Sequence, residues 1–142
     1  MWTSPGLADF VGAWRLSRWI DDRKVGATGR LTGQAVFRWA GEGLVYEETG
    51  ALSYGGAAPV TTRQSHLWEG AAGRIVIRFE DGRPFHEFPL GEAAPEADHH
   101  CTPDLYRVRY GFGDWPCWSA RWEVIGPRKD YTLMSRYEPD AA

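Results

Sequence analysis

Gly29-Arg30-Leu31-Thr32-Gly33-Gln34-Ala35-Val36-Phe37-Arg38-Trp39 alternates along nearly its whole length. Leu31, Gly33, Ala35, Phe37 and Trp39 fall on one side, and Arg30, Thr32, Gln34 and Arg38 on the other. Successive side chains of an extended chain point to opposite faces, so this stretch reads as a strand with one buried and one solvated face. The pattern repeats on both sides of it. Upstream, in residues 14–21, Trp14, Leu16 and Ile20 oppose Arg15, Ser17 and Trp19, and residues 22–26 form a turn. Downstream, Ala40-Gly41-Glu42-Gly43 turns the chain into a strand over 44–54, and residues 55–59 break it. Further strand-like runs cover 60–69, 74–80, 85–90, 98–102, 105–112, 118–125 and 131–137, with Asp81-Gly82 as a hairpin turn between two of them. The Pro-, Ala- and Glu-rich residues 91–97 are the expected mobile loop.

About ten short strands joined by tight turns point to an all-β sandwich or barrel. Strong alternation on nearly every strand, and connections short enough for a meander, favour an antiparallel up-and-down barrel. A barrel of this strand number can enclose a ligand cavity. Ser4 as cap, Pro5 at the first helical position and Leu7, Phe10, Val11 and Trp14 at helical spacing predict a short N-terminal helix that closes one end.

The 142 residues suit one domain, 1–142, with one sizeable core, and exclude a two-domain enzyme. The aromatic load is high (8 Trp, 6 Tyr, 6 Phe), which excludes a disordered chain. A net charge of −3 argues against nucleic acid as the partner. No apolar run approaches the roughly 20 residues of a membrane helix. The start lacks the basic-then-apolar pattern of an export signal, and residues 137–142 carry no lipidation motif. Cys101 and Cys117, with no Cys-x-x-Cys spacing, read as reduced thiols, so a cytoplasmic location is expected.

Gly12-Ala13-Trp14, just after the predicted helix, resembles the Gly-x-Trp opening of the calycin superfamily, which includes lipocalins, fatty-acid-binding proteins and nitrobindins. The resemblance implies that Trp14 lies at the closed end and that Arg136, on the last strand, packs across it. Residues 81–86, 99–101, 104–110 and 126–131 further resemble a bacterial family of small calycin-like barrels of unknown function. That likeness implies a fold and no activity. No His follows His100, so the late haem ligand of nitrobindins is absent. Arg136-Tyr137 replaces the Arg-x-Tyr pair with which fatty-acid-binding proteins hold a carboxylate, and adjacent side chains point to opposite faces.

The candidate ligand-binding residues are His66, Trp68, His86, His99, Tyr106, Tyr110, Trp118, Trp122 and Arg128. Three histidines turned inward (His66, His86 and His99) could gather around a metal, or serve as hydrogen-bonded interior side chains. No close-spaced ligand pair is present, and neither a metal nor another cofactor is implied. Tyr106, Val108 and Tyr110 share a face opposite Arg107 and Arg109. Burying two guanidiniums is costly, so the tyrosines are expected inward. Arg128 in the 126–130 turn either draws an anion to the mouth or belongs to an ordinary charged hairpin. Trp39, Trp68, Trp118 and Trp122 either line a cavity or fill it. Glu48 falls on an apolar face, with an inward Arg18 as its expected partner. No nucleophile elbow, phosphate loop or dinucleotide fingerprint is present. The expected function is binding of a small, partly apolar ligand in the lumen. Alternatives are an enzyme acting in the same cavity, or an interaction protein with a filled core. Tyr131, Leu133, Ser135 and Tyr137, taken as the outer face of the last strand, form the expected homodimer seam.

Overall fold

The computed structural model describes residues 3–140. Among these, a 3-10 turn, Leu7–Phe10, precedes ten strands: β1 Gly12–Asp22, β2 Ala27–Ala40, β3 Gly43–Tyr54, β4 Val60–Ala71, β5 Arg74–Phe79, β6 Pro84–Pro89, β7 Glu96–Cys101, β8 Asp104–Gly111, β9 Trp118–Ile125 and β10 Asp130–Pro139. They form one antiparallel sheet in the order β6-β5-β4-β3-β2-β1-β10-β9-β8-β7. Every neighbour in that order is a neighbour in sequence except β1 and β10, which join first strand to last. The result is an up-and-down barrel.

The barrel is nearly closed. β6 and β7 lie side by side, with no backbone ladder between them among the described residues. Pro84 and Pro89 bracket β6, and a strand with prolines at its ends suits an edge. Rings cross the seam instead: Phe85 of β6 meets His99 of β7 edge-on at 5.2 Å, and Phe88 of β6 lies 4.6 Å from Tyr110 of β8. Residues 91–97, expected to be mobile, are tied to the end of β8. The Tyr110 amide donates to the Pro95 carbonyl and the Phe112 amide to that of Ala93, and Pro95 is fully buried.

The N-terminal segment forms a single 3-10 turn rather than an α-helix. Its Asp9 carboxylate accepts from the Gly6 amide at 2.8 Å, and the chain enters β1 at Gly12, too soon for an α-helical turn to propagate. The turn still plugs one end. Phe10 has no exposed surface and is ringed by Phe37, Trp68, Phe112, Trp115 and Trp118 at 5.0–5.8 Å. The Trp14 indole N–H donates to the Phe10 carbonyl at 2.9 Å, which ties plug to barrel.

Inward positions follow the register. Trp14, Leu16 and Arg18 of β1 face in, as do Leu31, Ala35 and Phe37 of β2, Leu44, Tyr46 and Glu48 of β3, and Val108 and Tyr110 of β8. Gly33 and Gly50 are register partners where β2 and β3 press together. A Cβ on Gly33 would run into the Thr49 carbonyl and the Gly50 backbone, so this crossing admits only glycine there.

Three expectations about facing are corrected. Arg136 is exposed and does not pack across Trp14. It pairs in register with Ser17, an outward position, and Trp115 lies against Trp14 instead, at 5.5 Å. Tyr131, Leu133, Ser135 and Tyr137 point into the lumen, so they provide no dimer seam. Tyr137 sits opposite buried Leu16, and that register fixes the whole strand. Trp39 keeps the inward parity but lies beyond the packed core, 51% exposed.

Candidate functional site

The lumen above the plug holds a cavity of about 170 Å³. Its lining includes seven of the nine residues singled out from the sequence: His66, Trp68, His86, Tyr106, Tyr110, Trp118 and Trp122. Strand parity put them there. His66 and Trp68 alternate on β4, Tyr106 and Tyr110 on β8, and Trp118 and Trp122 on β9 with Ala120 between. Arg107 and Arg109 point outward, toward Asp98 and Glu96 across the β7–β8 ladder. Gln64, an exposed residue, also lines the cavity, which therefore reaches the end opposite the plug.

The two remaining candidates lie apart. His99 is half-buried and packs on Phe79, Phe85 and Tyr106 without lining the cavity. Arg128 is exposed in the β9–β10 turn. The cation that reaches the rim is its neighbour Lys129, which donates to the Tyr106 hydroxyl at 2.7 Å and lies 3.1 Å from Asp104.

The histidines surround a ring and not a metal position. His66, His86 and His99 lie 5.2, 4.5 and 5.2 Å from the Phe85 ring centroid, so a phenyl group stands between them. Among the described residues no group of three or more His, Cys, Asp or Glu is placed to hold a metal ion. Both cysteines are free, Cys101 on the surface and Cys117 half-buried.

One wall is a charged network that neutralises itself. Arg18 donates through both terminal nitrogens to the two Glu48 oxygens, at 2.8 and 2.9 Å, and through Nε to Ser135 at 2.7 Å. Tyr46 donates to Glu48 at 2.6 Å, and its hydroxyl lies 2.8 Å from that of Tyr137. Glu48 is 4% exposed. Burial alone would push its pKa up, but the bidentate Arg18 contact outweighs burial and holds the carboxyl below the usual glutamate range. Burial works against the Arg18 charge as well, and Glu48 again overrides it, so the pair stays ionised and internally paired.

The opposite wall is neutral. Burial, reinforced by His66 and His99, pushes the His86 pKa down to about 3, and burial also lowers His66. Burial raises the Tyr110 hydroxyl far above its ordinary value. His86 Nε2 and the Tyr110 hydroxyl are 2.7 Å apart. Rings fill the remaining surface in layers: Trp118 stacks on Tyr137 at 3.8 Å and 6°, and Phe85 on Trp122 at 5.1 Å and 7°.

Among the described residues, two side-chain nitrogens of residues that contribute to the lining are fully buried without a hydrogen-bond partner: His86 Nδ1 and Trp118 Nε1. Sequence reasoning could not find them, because their isolation depends on what the neighbouring strands fail to supply. Arg18, Tyr46, Glu48 and Tyr137 also belong to the lining. Arg18 and Glu48 were legible as a buried pair, but Tyr46 was passed over and Tyr137 was placed on the wrong face.

Residues 10–139 match the family of unknown function DUF6314. The chain belongs to that family. No curated protein matches it. Among solved structures it is similar to the S-type phycobiliprotein lyase CPES from Guillardia theta, with a TM-score of 0.71, 9% sequence identity, and coverage of 96% of this chain and 91% of that one. At that identity the likeness shows a shared near-closed, calycin-like barrel, as the Gly-x-Trp opening implied. No helix among the described residues is long and apolar enough to cross a membrane.

Proposed function

We propose that this DUF6314 barrel binds a small, partly apolar molecule in its lumen. The observation that carries the reading is the cavity itself, lined by rings together with the polar groups of Arg18, Tyr46, Glu48, His66 and His86. Ligand pockets generally combine such apolar walls with a few convergent polar groups. At about 170 Å³ the space is close to an engineered cavity of about 150 Å³ that admits benzene. It lies below the roughly 300–1,000 Å³ of pockets for drug-sized ligands. The shared barrel shape with a phycobiliprotein lyase supports the fold side of this reading only.

Burial holds the His86 imidazole neutral and raises the Tyr110 hydroxyl far above its ordinary value, so this pair offers a ligand uncharged hydrogen-bonding surroundings. The same barrel is read as a single functional unit. Two free thiols suit a reducing compartment such as the cytoplasm.

The test is backbone and side-chain NMR of labelled protein titrated with a panel of single-ring compounds of differing charge and polarity. Saturable shifts at His86, Tyr110 and Trp118 are expected for part of the panel. Resonances in the lumen that respond to no compound would overturn the proposal.

A further inference from the structure

Phe85 bounds the cavity beside the β6–β7 seam, and it does so against strand parity. His86 and Phe88 are the buried side chains of β6, which by alternation places Phe85 on the other face. The β5–β6 ladder slips at this point. Ile77 pairs with His86 and Arg78 with Pro84, so Phe85 is an extra residue without a register partner. A bulge of this kind bends its strand and re-aims a side chain. Phe85 and His86, neighbours in sequence, consequently both line the lumen.

We infer that Phe85 is the size-determining residue of the lumen: its phenyl group occupies the room of a second ring and restricts the ligand to one. This inference rests on the lumen being a binding site, and names what sets its limit.

The position of the ring is the first argument. Phe85 lies 5.2 Å from His66 of β4 and 5.1 Å from Trp122 of β9, so one side chain bridges strands on either side of the seam. No backbone ladder joins β6 to β7 among the described residues, and His99 of β7 meets the same ring edge-on at 5.2 Å. The wall at the seam is thus built of side chains, with Phe85 at their centre.

The room it occupies is the second. A cavity of about 170 Å³ is close to the roughly 150 Å³ that admits benzene. The Phe85 phenyl group is itself the size of one benzene and borders that space. Removing it leaves contiguous room for a second, fused ring. Other large rings of the lining are committed elsewhere. Trp68 and Trp118 pack on the plug residue Phe10 at 5.1 and 5.3 Å, and Tyr137 stacks on Trp118 at 3.8 Å. They form the floor, and loss of any of them also loosens the plug. Phe85 is half-buried and sits on the last strand of the sheet order, away from that floor.

Two probes that differ by one fused ring test this. Phenol and 2-naphthol are both planar and uncharged at neutral pH. Their dissociation constants for the intact chain are measured by equilibrium dialysis, following probe absorbance. Wild type is expected to bind phenol more tightly than 2-naphthol, although the second ring offers more apolar surface to bury. In Phe85→Ala the order is expected to reverse. There 2-naphthol should bind about tenfold or more tightly than to wild type, and excess phenol should displace it. Phe85→Leu removes less of the packing and is expected to give a smaller gain of the same sign, so the test survives an alanine variant that folds poorly. Leu90→Ala is the control. Leu90 follows β6 and packs on the core without lining the cavity. Its truncation is expected to keep the wild-type order, which separates a lost ring from a loosened strand.

A wild type that prefers 2-naphthol would overturn the size assignment. So would 2-naphthol that gains no affinity in either Phe85 variant, 2-naphthol that phenol does not displace, or a reversed order in Leu90→Ala. In each of these cases a probe still binds, so the binding reading stands while the role of Phe85 fails. Failure of all four proteins to bind either probe overturns both.

Discussion

Lowering the pH from 7 to 5 should destabilise this protein through His86. The imidazole is 8% exposed, packed between Tyr110 and Trp122, with His66 and His99 nearby and the Arg18–Glu48 pair across the lumen. Its folded pKa is pushed down to about 3 by burial, while an unfolded histidine titrates near 6.5. The folded state therefore stays unprotonated between pH 6.5 and 3 while the unfolded state takes up a proton. Stability contributed by the neutral imidazole is complete above pH 6.5 and is lost progressively as the pH falls toward 3. At pH 5 the loss is about 2 kcal/mol, from 1.36 kcal/mol per pH unit over roughly 1.5 units. For a chain of this size that corresponds to a fall in Tm of about 4–8 °C. His66, also lowered by burial, acts with the same sign. Glu48 does not enter this window: its pKa is depressed, so its contribution persists above its unfolded value of 4.5 and is lost only at lower pH. The assay is urea denaturation of wild type and His86→Phe at pH 7 and pH 5. The variant loses the Tyr110 partner and starts less stable, so the comparison is of slopes. Its change between the two pH values should be smaller than that of wild type by about 2 kcal/mol. Identical slopes would refute the claim that the folded barrel holds His86 neutral.

The buried ion pair gives a double-mutant test. Arg18→Met should cost about 3–5 kcal/mol because it strands the Glu48 charge, whereas Arg18→Met with Glu48→Leu should recover much of that loss, as measured by urea denaturation. Phe10→Ala removes the centre of the plug and should cost about 3–5 kcal/mol in the same assay. Gly33→Ala should destabilise by about 1–3 kcal/mol, because β2 and β3 leave no room for a methyl group where Gly33 meets Thr49 and Gly50, and circular-dichroism melting would show it.

Strand positions were readable because the signal is local. Alternation over residues 29–39 sets the faces of β2, and the glycine-rich turns around it fix where neighbouring strands begin. The same parity rule put Tyr106, Tyr110, Trp118 and Trp122 in the lumen without knowledge of their neighbours. It failed on β10, where both faces carry large or hydroxylated side chains: Tyr131, Leu133, Ser135 and Tyr137 inside, Thr132, Met134 and Arg136 outside. The likeness to calycins pulled Arg136 inward there, and only the pairing of Tyr137 with Leu16 decides the matter. The helix was misjudged for a similar reason. Helical spacing from Leu7 to Trp14 exists in the sequence, but the β1–β2 ladder, which starts at Gly12, claims its second half. Tertiary pairing overrode local periodicity. The histidines illustrate a further limit. Their inward parity is local information, but the phenyl ring of Phe85 between them is set by the β5–β6 register and by packing across the β6–β7 seam. The unpaired nitrogens of His86 and Trp118 are the property furthest from the sequence, since they depend on every surrounding strand at once.

The most direct test of the lumen as a binding site is a high-resolution crystal structure of the protein soaked with acetophenone. The account predicts ordered density for one ring within the cavity bounded by His86, Tyr110 and Trp118. A lumen closed by side chains, with the probe found only on the outer surface or nowhere, would contradict it.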